Sequence, residues 1–192
     1  FFKQKTAYEI VSRDWSSDVC SSDLNKYADW TVELIKADVQ QNTLPYACMM
    51  SHVEGDFNIS TAIRNANAFG CEKFFYFGKK SWDRRGSVGT HHYTNISHLK
   101  TVEDIKELKK QYRFVAIECN IDRPCVNIAD YQIKPGSLFI FGEETKGLSP
   151  EILDLCDDFV YIGMRGSVRS LNVGTASGIL MHNAMNALLP TN

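Results

Sequence analysis

The 192-residue sequence lacks several patterns that identify large classes of protein. It contains neither the GxGxxG fingerprint of dinucleotide-binding domains nor a GxxxxGKS or GxxxxGKT phosphate loop, so a nucleotide-like ligand must be held in another way. No apolar run approaches the roughly 18 residues that cross a bilayer, and the first residues lack the order of a signal peptide. We therefore expect a soluble, cytoplasmic protein without membrane association.

The sequence also offers no recognisable metal site and no strong overall charge. None of its six cysteines lies in a CxxC pair, and its five histidines show no metal-ligand spacing. We interpret the cysteines as reduced thiols, mostly in the core. Because 21 basic side chains are balanced by 23 acidic ones, any nucleic-acid contact must depend on a local patch.

Residues 1–24 differ in pattern from the rest of the chain. The segment FFKQKTAYEIVSRDWSSDVCSSDL begins without Met, shows neither helical periodicity nor strand alternation, and contains a serine and aspartate tract. It resembles the translation of a sequencing-adapter fragment joined to an open reading frame, and we leave it out of the fold prediction. The alternative is a genuine disordered N-terminal tail. Residues 25–192 are predicted to form one domain.

Apolar runs of strand length alternate with amphipathic segments along this domain. Apolar residues three or four positions apart predict helices, and the short apolar runs predict strands. The predicted strands cover residues 45–50, 73–77, 113–119, 138–141 and 159–162, and the predicted helices cover residues 27–39, 58–69 and 171–189, with others beginning at Thr101 and Ser149. Residues 78–97 are predicted to form a loop. The alternation indicates an α/β fold with a mostly parallel sheet flanked by helices.

Two segments near predicted strand ends carry residues suited to ligand binding, because such sheets bind ligands at the ends of their strands. The segment NISTAIR places Asn58 at a helix start and Arg64 in the second turn, where an arginine either clamps a phosphate or lies on the surface. The segment GEETKGLSP places Glu144 between Gly142 and Gly147. It is either a loop that lets a ligand approach the backbone or a plain turn before a helix.

A third segment, GMRGSVRSLNVGTASGILM, begins the last helix with small residues. Glycine costs a helix about 1 kcal/mol relative to alanine, so Gly174 and Gly178 indicate close approach by a ligand or by another part of the backbone. The plainer interpretation is helix packing within the core. Ser170 and Asn172 precede this helix, where they can cap it or bind a ligand.

In this order the three segments resemble the SpoU branch of the SPOUT RNA methyltransferases, the ribose 2'-O-methyltransferases of tRNA and rRNA, over about residues 45–185. The motif residues are Asn58 and Arg64 with AFG at 68–70, then Gly142, Glu144, Gly147 and Leu148, then Ile162, Gly163 and Met164 with SLNV at 170–173. Each motif alone is weak, whereas three in order are specific. Gly163 departs from the usual Pro, and Gly174 and Thr175 replace the usual Ser and Val.

The resemblance implies a deep C-terminal trefoil knot, S-adenosylmethionine as cofactor, and a homodimer whose active site is shared between protomers. It implies cofactor contacts from Ile117, Gly142, Gly147, Ile162, Met164 and Leu171. It implies a catalytic site of Arg64, Asn58, Glu144, Ser170 and Asn172. No metal is expected, because the sulfonium is already an activated leaving group.

RNA contacts are predicted from basic residues near these segments. They are Arg64, Lys146, Arg165 and Arg169 near the predicted pocket, and Arg84 and Arg85 in a basic run with Lys79 and Lys80. The alternative interpretation of this basic run is a solvated loop without a role in RNA binding. Because an arginine is not neutral in proteins, we interpret Arg64 as an orienting and charge-stabilising group, with the RNA phosphate as proton acceptor. A catalytically silent RNA-binding homodimer is the alternative. Another nucleotide-binding α/β enzyme would need a phosphate-binding glycine loop, which the sequence lacks.

Overall fold

The apolar runs form seven strands of one sheet in the structure, a computed structural model that describes residues 26–78, 81–118 and 121–189. In chain order the strands are β1 Leu44–Ser51, β2 Cys71–Phe77, β3 Ile96–Leu99, β4 Arg113–Ile117, β5 Val126–Asn127, β6 Ser137–Phe141 and β7 Asp158–Tyr161. All five predicted strands are confirmed, with small shifts at their ends. Predictions about residues 1–24, Lys79, Lys80, Cys20 and Cys119 lie outside the described residues.

The two strands absent from the prediction, β3 and β5, are the edge strands of the sheet. β3 reads ISHL, and its polar residues placed it in the predicted loop at 78–97. β5 has only two residues, too few for periodicity to indicate a strand. The predicted loop at residues 78–97 also contains two short 3-10 helices, Arg84–Ser87 and Thr90–His92.

The sheet has the order β3-β2-β1-β6-β4-β7-β5, and each of its pairings is parallel. β6 lies at the centre, where Ser137 is in register with Tyr46 of β1 and Arg113 of β4. All residues of β6 are buried, because helices cover both faces of a parallel sheet. The carboxyl ends of β1, β6, β4 and β7 therefore lie side by side at one edge.

The described residues form five α-helices: α1 Val32–Gln41, α2 Asp56–Ala68, α3 Val102–Leu108, α4 Pro150–Leu153 and α5 Val173–Leu188. The predicted start signals of α3 and α4 are confirmed. Thr101 Oγ1 accepts from the backbone N of Asp104 at 3.2 Å, and the Asp104 carboxylate accepts from the backbone N of Thr101 at 2.9 Å, which completes a capping box. Ser149 caps α4, with Pro150 at its first position.

Helix α1 begins five positions later than predicted, at Val32 instead of Tyr27. Thr31 is its N-cap and accepts from the backbone N of Leu34 at 3.4 Å. The preceding residues form a turn instead, because the Tyr27 ring packs edge-on against Trp30 and its hydroxyl donates to Asp38 at 2.6 Å. These contacts fold the turn back onto the helix.

Helices α2 and α5 pack against each other on one face of the sheet, while α3 and α4 cover the other face. Asn65 Nδ2 on α2 donates to the carbonyl oxygen of Gly174 and to Ser177 Oγ on α5, both at 3.0 Å. A Cβ on Gly174 would lie 3.1 Å from Thr61 Cγ2. The small residues at the start of α5 therefore serve helix packing within the chain, the plainer of the two interpretations.

No helix in the described ranges is long and apolar enough to cross a membrane. The four cysteines in these ranges are free thiols. Cys48 and Cys71 are buried, whereas Cys125 and Cys156 are partly exposed. Only the first two thus occupy the core position predicted for most of the cysteines.

Candidate active site

The loops at the carboxyl edge of the sheet surround a cavity of about 370 Å³, within the size range of small-molecule sites. Its walls come from the end of β4, the loop after β6 and the segment between β7 and α5. All residues predicted to contact the cofactor line it: Ile117, Gly142, Gly147, Ile162, Met164 and Leu171. In the part of the chain that the structure describes, no three His, Cys, Asp or Glu residues are grouped to hold a metal ion.

The loop after β6 is folded tightly on itself by its two glycines. Glu143 and Gly147 exchange backbone hydrogen bonds of 3.1 and 2.9 Å, and Gly147 has a φ of +69°, in the left-handed region. A Cβ on Gly142 would lie 2.3 Å from the carbonyl carbon of Gly147 and 2.4 Å from the backbone N of Leu148. Only glycine fits at position 142, because a side chain there would prevent the turn from closing on itself beside the cavity.

Glu118, directly after β4, supports this loop and was absent from the predicted site. Its Oε2 accepts from the backbone N of Leu148 at 3.0 Å. The same oxygen would lie 2.3 Å from a Cβ on Gly147, so the carboxylate packs against the glycine. Its position at a strand end was a usable signal, but Glu118 belongs to none of the three motifs.

A chain of hydrogen bonds joins one residue from each of the three motifs. Asn58 Nδ2, in the first turn of α2, donates to Glu144 Oε1 at 2.5 Å. Asn172 Nδ2 donates to Asn58 Oδ1 at 3.0 Å. The second carboxylate oxygen of Glu144 accepts from the backbone N of Glu54 at 3.3 Å. We call Asn58, Glu144 and Asn172 the polar network; the structure brings these three predicted residues together beside the cavity.

Ser170 and Arg64, the other two predicted catalytic residues, lie in different places. Ser170 is exposed and lines the cavity two positions before Asn172. Arg64 is half-buried on α2, six residues after Asn58, and is not among the cavity-lining residues. Six residues correspond to a rise of about 9 Å and more than one and a half turns of helix, so Arg64 and Asn58 occupy different faces of α2.

Apart from Arg64, the predicted RNA-binding residues divide into two groups. Lys146 and Arg169 line the cavity, and exposed Arg165 lies in the loop that carries Met164. Arg84 and Arg85 lie elsewhere, exposed on a 3-10 helix that packs on α2.

An ion pair within the loop after β6 joins Lys146 to Glu143. Lys146 Nζ lies 3.3 Å from Glu143 Oε1. The pKa of Glu143 is lowered, first by a hydrogen bond from the Thr145 hydroxyl and also by Lys146. Glu143 is therefore ionised at neutral pH and pairs with Lys146 beside the cavity.

Gly163 stands where the family that the three motifs resemble usually has Pro, and in the structure a neighbouring side chain lies against this glycine. A Cβ at this position would lie 2.6 Å from Nδ2 of Asn127 in β5. The Asn127 side chain thus occupies space that a larger residue at position 163 would need.

The family model of the SpoU rRNA Methylase family matches residues 45–182. The chain belongs to this family. The matched range runs from β1 into α5 and includes all three residues of the polar network. The SpoU resemblance predicted from the three motifs is thereby confirmed.

Two relatives show how much of a SpoU protein this chain represents. It is 28% identical over 138 residues to the tRNA (guanosine(18)-2'-O)-methyltransferase of Aquifex aeolicus strain VF5, covering 69% of this chain and 65% of that protein. It is 24% identical over 141 residues to the mitochondrial rRNA methyltransferase 1 of Dictyostelium discoideum, covering 68% and 27%. The chain therefore spans between about a quarter and two thirds of the length of these relatives.

Solved structures show the same fold. The crystal structure of the A. aeolicus TrmH/SpoU tRNA modifying enzyme matches with a TM-score of 0.72 at 24% identity, covering 81% of each chain. The AdoMet-bound rRNA methyltransferase from Sinorhizobium meliloti matches with a TM-score of 0.68 at 21% identity, covering 79% of this chain and 61% of that one. This likeness confirms the predicted α/β fold with its parallel sheet and flanking helices.

Proposed function

We propose that the protein uses S-adenosylmethionine to methylate a ribose 2'-hydroxyl of tRNA or rRNA. The observation that carries this proposal is the polar network, in which Asn58 bonds to both Glu144 and Asn172, and Glu144 lines the cavity. A chain that kept only the fold would have no need to hold an exposed carboxylate against an asparagine that a second asparagine also holds. Membership of the SpoU family and the names of the relatives support the same reaction.

The cavity suits this cofactor in size and in the chemistry of its walls. Ile117, Ile162 and Leu171 offer apolar contacts for a flat base, while carbonyl oxygens of the turn at Gly142 and Gly147 can accept a further hydrogen bond. Glu118 and Ser170 add polar side chains to the lining. We assign the adenosine part to the apolar walls and the β6 loop.

S-adenosylmethionine supplies a methyl group on a positively charged sulfur, and the chain's own residues align the ribose with it. Glu144 holds Asn58, and Asn172 holds Asn58 from the other side, so the network is fixed before RNA binds. Arg64 orients the RNA and stabilises charge as the hydroxyl loses its proton to the RNA phosphate. Ser170, at the cavity wall, positions the ribose.

The position of Arg64 supports a homodimer with a shared active site. Neither Asn58 nor Arg64 lines the cavity of its own chain, but Asn58 bonds to the lining residue Glu144, whereas Arg64 lies on a different face of α2. We propose that Arg64 of one protomer acts at the cavity of its partner. We also propose that the segment from β7 to α5 forms the family's trefoil knot; its passage along the same cavity as the β6 loop supports this.

The test is methyl incorporation from labelled S-adenosylmethionine into total tRNA and total rRNA, followed by digestion and nucleoside mapping. We expect label in a 2'-O-methylnucleoside from one RNA pool. Asn58→Ala should abolish incorporation, whereas the matched variant Asn186→Ala, at an exposed asparagine on α5, should not.

Calorimetry with S-adenosylmethionine separates the two ways in which this proposal can fail. Absence of cofactor binding at millimolar concentration by a folded protein would show that the cofactor assignment is wrong. Cofactor binding without label in either RNA would contradict the proposed reaction, and RNA binding by the same protein would then favour a catalytically silent RNA-binding homodimer.

A further inference from the structure

An aromatic side chain lies exposed beside the polar network and has no part in the mechanism above. Phe57 immediately precedes Asn58 in the first turn of α2 and is 54% exposed. Single exposed apolar residues are common on protein surfaces and by themselves indicate nothing. Phe57 differs because its surroundings hold a cation against its ring.

Arg85 lies over the Phe57 ring, with its guanidinium carbon 5.6 Å from the ring centroid. The carboxylate of Asp83 fixes this arginine: it accepts from the backbone N of Arg85 at 3.0 Å and from its Nε at 3.0 Å. Arg85 nevertheless remains 81% exposed as a side chain. A pre-oriented arginine and an aromatic ring thus face solvent together.

The segment that carries Arg85 is itself attached to α2. Buried Ser60 donates a hydrogen bond to the carbonyl oxygen of Asp83. A Cβ on Gly86 would lie 2.8 Å from Ser60 Cβ and 3.2 Å from Phe57 Cδ1, so the backbone of the 3-10 helix rests directly on α2. The Phe57 and Arg85 pair is therefore a preformed surface, not the accidental meeting of two mobile side chains.

We infer that Phe57 and Arg85 form a stacking surface for one unpaired base of the RNA, adjacent to the nucleotide that is methylated. This inference rests on the proposed function, and it adds a base-binding site to it. Unstacked RNA bases bind to aromatic rings and to guanidinium planes, which are the two groups present here. Exposed Arg84, next to Arg85, adds positive charge for the flanking phosphate.

The test compares two short RNA probes of equal length, an oligouridylate and an abasic ribose-phosphate oligomer, by fluorescence anisotropy at low salt. Stacking on an aromatic residue requires a base, whereas phosphate contacts do not. Phe57→Ala should weaken oligouridylate binding by roughly 5- to 100-fold and leave abasic binding unchanged. Phe57→Tyr should retain wild-type affinity for oligouridylate.

Two control variants separate stacking from charge and from surface apolarity. Leu34→Ala removes an apolar side chain that is 55% exposed on α1, and it should change neither affinity. Arg84→Ala, at the residue assigned to the flanking phosphate, should weaken both probes and lower the slope of log affinity against log salt by about one, whereas Phe57→Ala should leave this slope unchanged.

Three results would overturn the inference: equal binding of both probes by the wild type, equal weakening of both probes by Phe57→Ala, or dissociation of an oligomer by Phe57→Ala in sedimentation. The last would show that a second copy of the chain covers this surface. The binding assay involves no methyl transfer, so it decides the inference even if methyl incorporation fails and the proposed reaction is wrong.

Discussion

Asn172 Nδ2 donates to Asn58 Oδ1 at 3.0 Å, which ties the residue before α5 to the first turn of α2. The oxygen of the same amide caps α5, because Asn172 Oδ1 accepts from the backbone N of Thr175 at 3.2 Å. One side chain thus contributes both to helix stability and to the geometry of the site. A shorter capping residue should separate the two contributions.

We expect Asn172→Ser to keep the cap and lose the contact with Asn58. Its free energy of unfolding, measured in urea, should stay within a few tenths of a kcal/mol of wild type, whereas Asn172→Ala should lose about 1 kcal/mol. Both variants should show a strongly reduced methyl-transfer rate, because neither side chain reaches Asn58. Full activity in Asn172→Ser would contradict a role for the contact.

Gly142→Ala should disrupt the β6 loop and with it cofactor binding. The added Cβ would meet backbone atoms of Gly147 and Leu148 at 2.3 and 2.4 Å, which no side-chain rotation can relieve. Calorimetry should show cofactor affinity at least tenfold weaker. The matched control is Gly166→Ala, where no atom lies within 4 Å of the new Cβ and affinity should be unchanged. Equal affinity in both variants would show that the turn is not part of the cofactor site.

Arg64→Ala should abolish methyl transfer while cofactor affinity changes little, because Arg64 does not line the cavity of its own chain. With saturating cofactor, the loss should appear in the single-turnover rate. The methyl-transfer rate of Arg64→Lys should lie between those of the wild type and Arg64→Ala, since a lysine replaces the charge but not the planar, two-pronged guanidinium. Lys36→Ala, at an exposed position on α1, serves as the control. Near-normal transfer by Arg64→Ala would return this residue to a surface role.

At a cofactor concentration too low for Gly142→Ala to bind it, mixing this variant with Arg64→Ala should restore activity if the site is shared. A heterodimer of Arg64→Ala and Gly142→Ala contains one cavity with an intact β6 loop that faces an intact Arg64. Co-refolding the two chains should therefore restore part of the wild-type rate, up to about a quarter for random pairing of two subunits. Mixtures as inactive as their components would place Arg64 and the β6 loop of one chain at the same site.

The stability of the protein should depend on the protonation of His91. Burial first, and then the nearby positive charges of His92 and Arg84, together lower the pKa of His91 from 6.5 to about 4. The unfolded chain therefore binds the proton more readily, and the free energy of unfolding should fall as the pH decreases from 6.5 to 4. His91→Gln should reduce the pH dependence of the urea-unfolding midpoint across this window, whereas His182→Gln, at an exposed site, should leave that dependence unchanged. Equal pH profiles for wild type and His91→Gln would refute this.

The sequence predicted those parts of the fold in which a local pattern coincides with burial. LFIF at 138–141 is buried on both faces, so its apolar run is continuous and indicates a central parallel strand. The edge strand at Ile96–Leu99 was missed because edge residues are partly exposed and therefore partly polar. The start of α1 was wrong because helical spacing does not reveal that Tyr27 bonds to Asp38.

The site was predicted from motifs, and its geometry depends on contacts between distant positions. Asn58 meets Glu144 across 86 positions and Asn172 across 114, distances over which periodicity carries no information. Residues outside the motifs, such as Glu118 and Phe57, were missed for the same reason. Glu118 binds the backbone of Leu148 and Phe57 packs against Arg85, and these partners come together only in the folded chain.

The central position of β6 has a consequence for the order in which this chain can fold. β1 is an early segment, yet one of its two edges is paired only by β6, which follows β2 to β5 along the chain. During synthesis the unit β1 to β3 therefore carries an open, apolar edge until residue 141 has left the ribosome. Such non-local parallel pairing folds slowly. A nascent chain stalled before β6 is thus the species most exposed to aggregation and most dependent on chaperones.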